Sequence, residues 1–271
     1  MSGIPFDKLF RLDGRVALVT GAAGYLGRSI STVLAEAGAH VVLNGRSRDK
    51  VARLADALKE RGLRASVAVF DVTDAQESVT VLRSLESEYG RLDVLINNAY
   101  QGRTGTVETA TAADFNAAYD LTVTAAFRLI QTARPLLEKA ARLNPAGSAV
   151  INIASMYGTV SPDPALYGDS GMNNPPFYGA AKSGLIQLTR YLACHLASSK
   201  IRVNSISPGP FPPREIVARN PDFYKGLCRR NPMGRIGDPD ELRGPVLLLA
   251  SDAGSYITGI NLPVDGGWTA W

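Results

Sequence analysis

The chain has 271 residues, 45% of them hydrophobic and 20% charged, with a formal net charge of +4. That is enough chain for one large core, and the composition is that of an ordinary globular protein. The mild positive balance suits an anionic ligand, but the sequence holds no dense Lys/Arg run of the kind that binds nucleic acid. His40, His195, Cys194 and Cys228 match no zinc spacing and no disulfide framework. They exclude a metal centre and fit two free thiols in a reducing compartment. No apolar run reaches membrane-span length, and residues 1–14 carry Asp7, Lys8 and Arg11 without a signal-peptide core. The expectation is a cytoplasmic enzyme with a small-molecule substrate and neither nucleic acid nor membrane as partner.

Strand and helix signals alternate along the chain. Residues 16–20 read as a short apolar strand, followed by a glycine-rich turn and a helix over 26–37. A second strand spans 40–44, a helix 49–61 and a third strand 65–70. A helix over 75–89 leads to a fourth strand at 94–97. A long helix over 112–143 contains Pro135, which should kink it or end its main segment. The fifth strand covers 149–153, a helix runs from Tyr178 to about Ala197, and the sixth strand covers 202–206. A helix over 240–249 and a strand near 261–264 close the chain. Two proline-rich stretches, 161–176 and 208–235, interrupt the rhythm and are expected as loops over a site. Short apolar strands separated by helices predict an α/β fold: a single doubly wound parallel sheet of Rossmann type, one domain over 1–271.

The turn Thr20-Gly21-Ala22-Ala23-Gly24-Tyr25-Leu26-Gly27 lies between the first strand and the first helix. Glycines there let a pyrophosphate approach the backbone and meet the helix N-terminus. The second strand ends Leu43-Asn44-Gly45-Arg46, with no carboxylate before Asp49. An acidic residue at that place binds a ribose 2′-hydroxyl, whereas an arginine accommodates a 2′-phosphate with its planar fork. NADP(H) is therefore expected over NAD(H). Asp71 ends the third strand and can bind the adenine amino group or cap the next turn.

At the reacting end, Tyr178 and Lys182 stand at i and i+4, on one helical face. A neighbouring ammonium favours a phenolate, so the pair is expected to act as a general acid/base with a lowered tyrosine pKa. Ser155 follows the fifth strand at its carboxyl end, where its hydroxyl can bond a substrate carbonyl oxygen.

In order and placement these residues resemble the short-chain dehydrogenase/reductase family. The resemblance covers roughly residues 13–271 and is carried by Thr20-Gly21 with Gly24 and Gly27, Asp71, Asn97-Asn98-Ala99, Ser155, Tyr178 with Lys182, Pro208-Gly209 and Val264-Asp265-Gly266-Gly267. It implies that Tyr178 is the acid/base, that Ser155 orients the substrate oxygen, and that Lys182 binds the nicotinamide ribose. The implied cofactor contacts are Gly21, Ala23, Gly24, Tyr25, Leu26, Gly27, Arg46, Asp71, Val72, Asn97, Asn98, Ala99, Ile153, Pro208, Gly209 and Phe211, with Tyr178 and Lys182. A homotetramer or homodimer is implied too, with apolar helical faces at 115–137 and 185–196 available for the interface.

The chain departs from the family in four places. Tyr100 replaces the usual glycine after Asn97-Asn98-Ala99, and Thr122 stands where the family's frequent catalytic asparagine falls. Pro210-Phe211-Pro212-Pro213 lacks the usual threonine. The stretch between Ser155 and Tyr178 is longer than usual and includes Tyr167, Asp169, Asn173 and Asn174. These four, with Tyr157, are expected to line a substrate lid. The polar insert, Ser155-Met156-Tyr157-Gly158 and the Val264–Trp268 end look most like bacterial members that act on sugars, gluconate 5-dehydrogenase-like or modifying surface glycans and nonulosonates. The alternatives are a reductase of 3-oxoacyl thioesters and a nucleotide-binding regulator without turnover.

Overall fold

The computed structural model describes residues 4–168 and 172–271. A parallel sheet is built from β1 (Val16–Val19), β2 (His40–Asn44), β3 (Ala65–Ala68), β4 (Val94–Asn97), β5 (Ser148–Ile153), β6 (Ile201–Pro208) and β7 (Asn261–Val264), in the order β3-β2-β1-β4-β5-β6-β7. This is the doubly wound order, whose reversal between β1 and β4 opens a crevice at the strands' carboxyl ends. Between the strands run α1 (Tyr25–Glu36), α2 (Arg48–Glu60), α3 (Ala75–Tyr89), α4 (Ala112–Tyr119), α5 (Ala125–Leu143), α6 (Pro176–Leu196), α7 (Arg214–Arg219), α8 (Pro221–Arg230) and α9 (Arg243–Ala250).

Successive strand residues feed opposite faces of the sheet, which is why the strands read as unbroken apolar runs. Ala17, Val19, Val41, Leu43, Ile96 and Ile151 pack into one core with Ile30 and Leu34 of α1, Leu54 of α2 and Val246 of α9. Leu18, Val42, Leu95, Val150 and Val203 pack into the other with Leu82 of α3, Leu129 and Leu137 of α5 and Leu192 of α6. Among the described residues, no helix is long and apolar enough to cross a membrane.

Two expectations about helices need correction. The long helix does not break at Pro135, which lies inside α5. Pro135 and Gln131 are both exposed, so the carbonyl that proline leaves without a donor can meet water. The break comes earlier, at a π turn over Asp120–Thr124 that joins α4 to α5. The second proline-rich stretch is not a continuous loop either, because it contains α7 and α8. Pro213 precedes α7 and Pro221 opens α8, where a missing N–H costs nothing and a fixed φ favours the first turn. In the other stretch, a 3-10 turn forms at Pro164–Leu166 and Pro176 opens α6.

Candidate active site

The glycine turn is fixed from below by hydrogen bonds to the end of β4. Thr20 Oγ1 accepts from the Asn98 and Ala99 backbone N–H groups at 2.8 and 3.0 Å, and Asn98 Nδ2 donates to Thr20 O and Gly21 O at 3.0 and 3.1 Å. Gly21 has φ of 62°, a left-handed conformation that disfavours any side chain. A Cβ on Gly27 would sit 2.2 Å from Gly21 O, so α1 can cross this close to the turn only as glycine. The N-cap of α1, Gly24, makes no side-chain cap bond, and the first turn of α1 carries no acid. The free N–H groups of that turn therefore face outward as a site for an anion.

In front of the turn lies a cleft of about 680 Å³, in the usual range for ligand sites. Its lining brings together Gly21, Ala23, Gly24, Tyr25, Leu26, Gly27, Arg46, Asp71, Val72, Asn98, Ala99, Thr122 and Tyr178. At one end, Arg46 is mostly exposed and stands 3.7 Å from Asp71. Burial pushes the Asp71 carboxyl up, but bonds from Thr73 N and Oγ1 and the nearby Arg46 hold it below the usual carboxylate range. Asp71 thus caps the turn after β3 while facing the cleft. Ser47 and Lys50 join Arg46 in the lining. Sequence reasoning passed over them, although a lysine in the first turn of the helix that follows Arg46 was a readable signal. Arg103 and Phe177 also line the cleft, and nothing local in the sequence marks them.

At the other end, Lys182 is only 5% exposed. Its Nζ donates to Ile153 O at 2.7 Å. Burial pulls its pKa down to about 8. Lys182 also borders a small cavity in which Thr20, Asn97 and Thr122 stand among mostly apolar neighbours such as Val72, Leu121, Leu129 and Leu185. Asn97 Nδ2 donates to Asn152 Oδ1 at 2.8 Å, and Asn152 Nδ2 donates to Thr189 Oγ1 at 2.9 Å. This buried chain ties the ends of β4 and β5 to α6, and so fixes both Ile153 O and the helix that carries Lys182. Thr122 is buried within the π turn, a local feature that recurs at functional sites.

The Tyr178 phenol is not lowered by Lys182 as the sequence led us to expect. Burial pushes its pKa up, a hydrogen bond with Ser155 pulls it partly back, and Tyr167 adds to the rise. The Lys182 ammonium lies 5.7 Å from the centroid of the Tyr178 ring, beside the ring's face. Ser155 is buried at the end of β5, and its Oγ accepts from Tyr157 N at 3.2 Å.

The residues expected at the substrate, Tyr157, Tyr167, Asn173 and Asn174, do not line the cleft. Tyr157 and Tyr167 meet through their hydroxyls at 3.4 Å, and Tyr167 stacks on Phe223 of α8. Met156, Tyr157, Leu227 and Trp268 pack together with Tyr178 against them. Asn173 is committed to the 105 loop, accepting from Gly105 N and donating to Gly105 O. Asn174 Oδ1 is buried with no hydrogen-bond partner. Asp169 lies outside the described residues.

The structure does not bring Pro208, Gly209 or Phe211 into the cleft lining. Gly209 backs onto Asp265, whose Cα would be 2.5 Å from a Cβ there, and Phe211 packs over Gly237. Asp265 itself closes the C-terminal turn, accepting from Gly267 N, Thr269 N and Thr269 Oγ1. Among the described residues, no group of His, Cys, Asp and Glu could hold a metal ion.

A profile of the family described as Enoyl-(Acyl carrier protein) reductase matches residues 21–269. The chain is 37% identical over 265 residues to a cis-4-hydroxycyclohexanecarboxylate dehydrogenase of Sinomonas cyclohexanicum, covering 94% of this chain and 97% of the relative. It is 35% identical over 262 residues to a rhamnolipids biosynthesis 3-oxoacyl-(acyl-carrier-protein) reductase of Pseudomonas aeruginosa, covering 96% and 98%. A gluconate 5-dehydrogenase of Burkholderia cenocepacia, solved in complex with NADP and tartrate, superimposes with a TM-score of 0.87 at 30% identity, covering 98% of this chain and 99% of that one.

Proposed function

The chain belongs to the short-chain dehydrogenase/reductase family, and we propose that it is an NADP(H)-dependent oxidoreductase acting on a carbonyl or secondary alcohol of a small polar, sugar-like substrate. One observation carries the reading: a single cleft runs from the anion-ready N-terminus of α1, past Arg46, to Tyr178. The residues present fit the dinucleotide. The turn is bare at Gly24 and Gly27, β2 ends without a carboxylate, and Arg46, Ser47 and Lys50 cluster where a 2′-phosphate needs partners. A similar protein of known structure binds NADP, which supports the same choice here.

Bound along this cleft, the cofactor supplies or takes the hydride. The chain's own residues handle the proton. Tyr178 gives its phenolic proton to the substrate oxygen in reduction and takes it back in oxidation. Ser155 bonds the same oxygen as charge develops on it. Lys182, anchored on Ile153 O with its ammonium beside the Tyr178 ring, is positioned for the nicotinamide ribose.

Asn174 Oδ1 and the paired phenols of Tyr157 and Tyr167 offer bonding groups for a hydroxylated substrate. The apolar cluster of Met156, Leu227, Phe223 and Trp268 beside Tyr178 favours a second reading, a 3-oxoacyl thioester. An NADPH oxidation assay over keto-sugar acids, a cyclic oxo acid and 3-oxoacyl thioesters separates them. The sugar reading expects the highest kcat/KM on a polyhydroxylated ketone. Preference for the thioester establishes the second reading, and NADPH binding with no turnover on any class points to the regulator.

A further inference from the structure

We propose that Tyr100 is a gate over the nicotinamide half of the cleft, its ring capping Lys182 and Tyr178 until the cofactor displaces it. This rests on the reading of Lys182 and Tyr178 as the groups that meet the nicotinamide end of NADP(H). Tyr100 follows Asn97-Asn98-Ala99 at the end of β4 and lines the same cleft as Tyr178. Its ring meets the Tyr178 ring edge-on, with centroids 5.1 Å apart. The Lys182 ammonium lies 5.5 Å from the Tyr100 centroid and 5.7 Å from that of Tyr178. Lys182 thus has one carbonyl, Ile153 O, two aromatic rings and the small cavity shared with Thr20, Asn97 and Thr122 around it. An ammonium has three donors, and a ring face is what takes the place of a missing acceptor.

Lys182 is 5% exposed and does not line the main cleft, whereas the Tyr100 ring beside it does. A hydroxyl between ammonium and ring needs about 2.9 Å to the nitrogen and about 3.5 Å to the ring carbons. Their sum exceeds the 5.5 Å present between Lys182 Nζ and the Tyr100 centroid. A hydroxyl can therefore stand on the line between Lys182 and the ring only once the ring turns away. The ring is 48% exposed, and its phenol meets the Arg103 backbone, so turning it away breaks that contact together with the one to the ammonium. A glycine at position 100, the common residue of the family, would leave Lys182 uncovered.

The test compares the wild-type protein with Tyr100→Ala and Tyr100→Phe. NADPH fluorescence is followed at equilibrium and by stopped flow. Binding of 2′,5′-ADP, which carries the adenine end and the 2′-phosphate but no nicotinamide, is measured alongside. For the wild type and Tyr100→Phe, the observed NADPH binding rate should level off as concentration rises, because ring opening becomes limiting. For Tyr100→Ala it should rise linearly, and NADPH affinity and KM should improve about tenfold, the scale set by the cation–π contact that no longer has to be broken. All three should bind 2′,5′-ADP alike. No gain in NADPH affinity for a folded Tyr100→Ala, or a parallel change in 2′,5′-ADP affinity, overturns the gate. If Tyr100→Ala does not fold, a linear rate for the wild type overturns it alone. A wild-type protein that binds neither nucleotide fails the cofactor reading and the gate with it; one that binds both, with a linear rate, fails only the gate.

Discussion

Lys182→Met should make the cofactor-free protein more stable at neutral pH while abolishing turnover. The ammonium is 5% exposed, and burial lowers its pKa from 10.5 to about 8. Holding a proton there costs about 3 kcal/mol relative to the unfolded chain, from the size of the shift. Methionine is similar in length, uncharged, and its thioether suits aromatic neighbours such as Tyr100 and Tyr178. The substitution gives up the bond to Ile153 O, worth about 1 kcal/mol. It also gives up the contacts with the two rings, worth about 1 kcal/mol together. The balance is a gain of about 1 kcal/mol at pH 7. The sign of its pH dependence follows from the lowered pKa. Between pH 8 and 10.5 the unfolded chain holds the proton and the folded one has lost it, so wild-type stability rises with pH across that window. Below about 8 the penalty is complete, and above 10.5 it is gone. The lead of Lys182→Met should therefore be largest at pH 7 and shrink or reverse by pH 10. Urea titrations of both proteins at equal concentration read the difference directly. A variant less stable than wild type at pH 7, or a lead that grows with pH, would refute the account of Lys182 as a charge held at a cost for function.

Three further outcomes are expected. Arg46→Ala should weaken NADP binding by roughly ten- to hundredfold and leave NAD nearly unchanged, because only the 2′-phosphate loses its bidentate partner; calorimetry that finds NAD the tighter ligand of the unmutated protein refutes the cofactor assignment. Tyr178→Phe removes a transferable proton and little volume, so kcat should fall by about a hundredfold or more while NADPH binding survives; retention of most of kcat contradicts the acid/base role. The exposed aromatic residues Phe115, Tyr119 and Phe127 of the α4–α5 region and Tyr191 of α6 fit burial in a homotetramer, and light scattering that gives a 28.9 kDa particle at micromolar concentration would exclude it.

The cleft from the glycine turn to Arg46 and Tyr178 was legible because its residues are marked by local features. Gly21, Gly24 and Gly27 are required by the path of one turn, and Arg46 by the end of one strand. Tyr178 and Lys182 are joined by one turn of one helix. Strand ends carry Asn97 and Ile153, and the apolar runs that mark strands also mark their ends. What could not be read depends on contacts between distant segments. The fall in the Lys182 pKa comes from burial, which no spacing reveals. The π turn at Asp120–Thr124 has no breaker residue, so proline drew attention to position 135 instead. Prolines at 213 and 221 read as loop formers although they stand at helix starts. The same ambiguity follows from proline's chemistry: a fixed φ and a missing N–H suit both a turn and a first helical residue.

The substrate half illustrates the limit in another way. The sequence suggests a polar substrate lid of Tyr167, Asp169, Asn173 and Asn174, yet composition does not say where a polar group spends its hydrogen bonds. Asn173 spends its amide on Gly105, pinning the insert to the loop that follows Tyr100. Asp163 is paired with Arg230 at 2.8 Å, and Tyr167 stacks on Phe223, so α8 is strapped to the same insert. Of the described lid residues, Asn174 alone keeps a buried acceptor without a partner. An exposed ion pair of this kind adds little to stability, but pair, ring stack and Asn173 bonds together make the insert, the 105 loop and α8 one connected cover. In the lid reading proposed above, substrate choice depends on how these three segments sit together. That is a tertiary property, and it is why an architecture shared at a TM-score of 0.87 fixes the reaction type more firmly than the substrate.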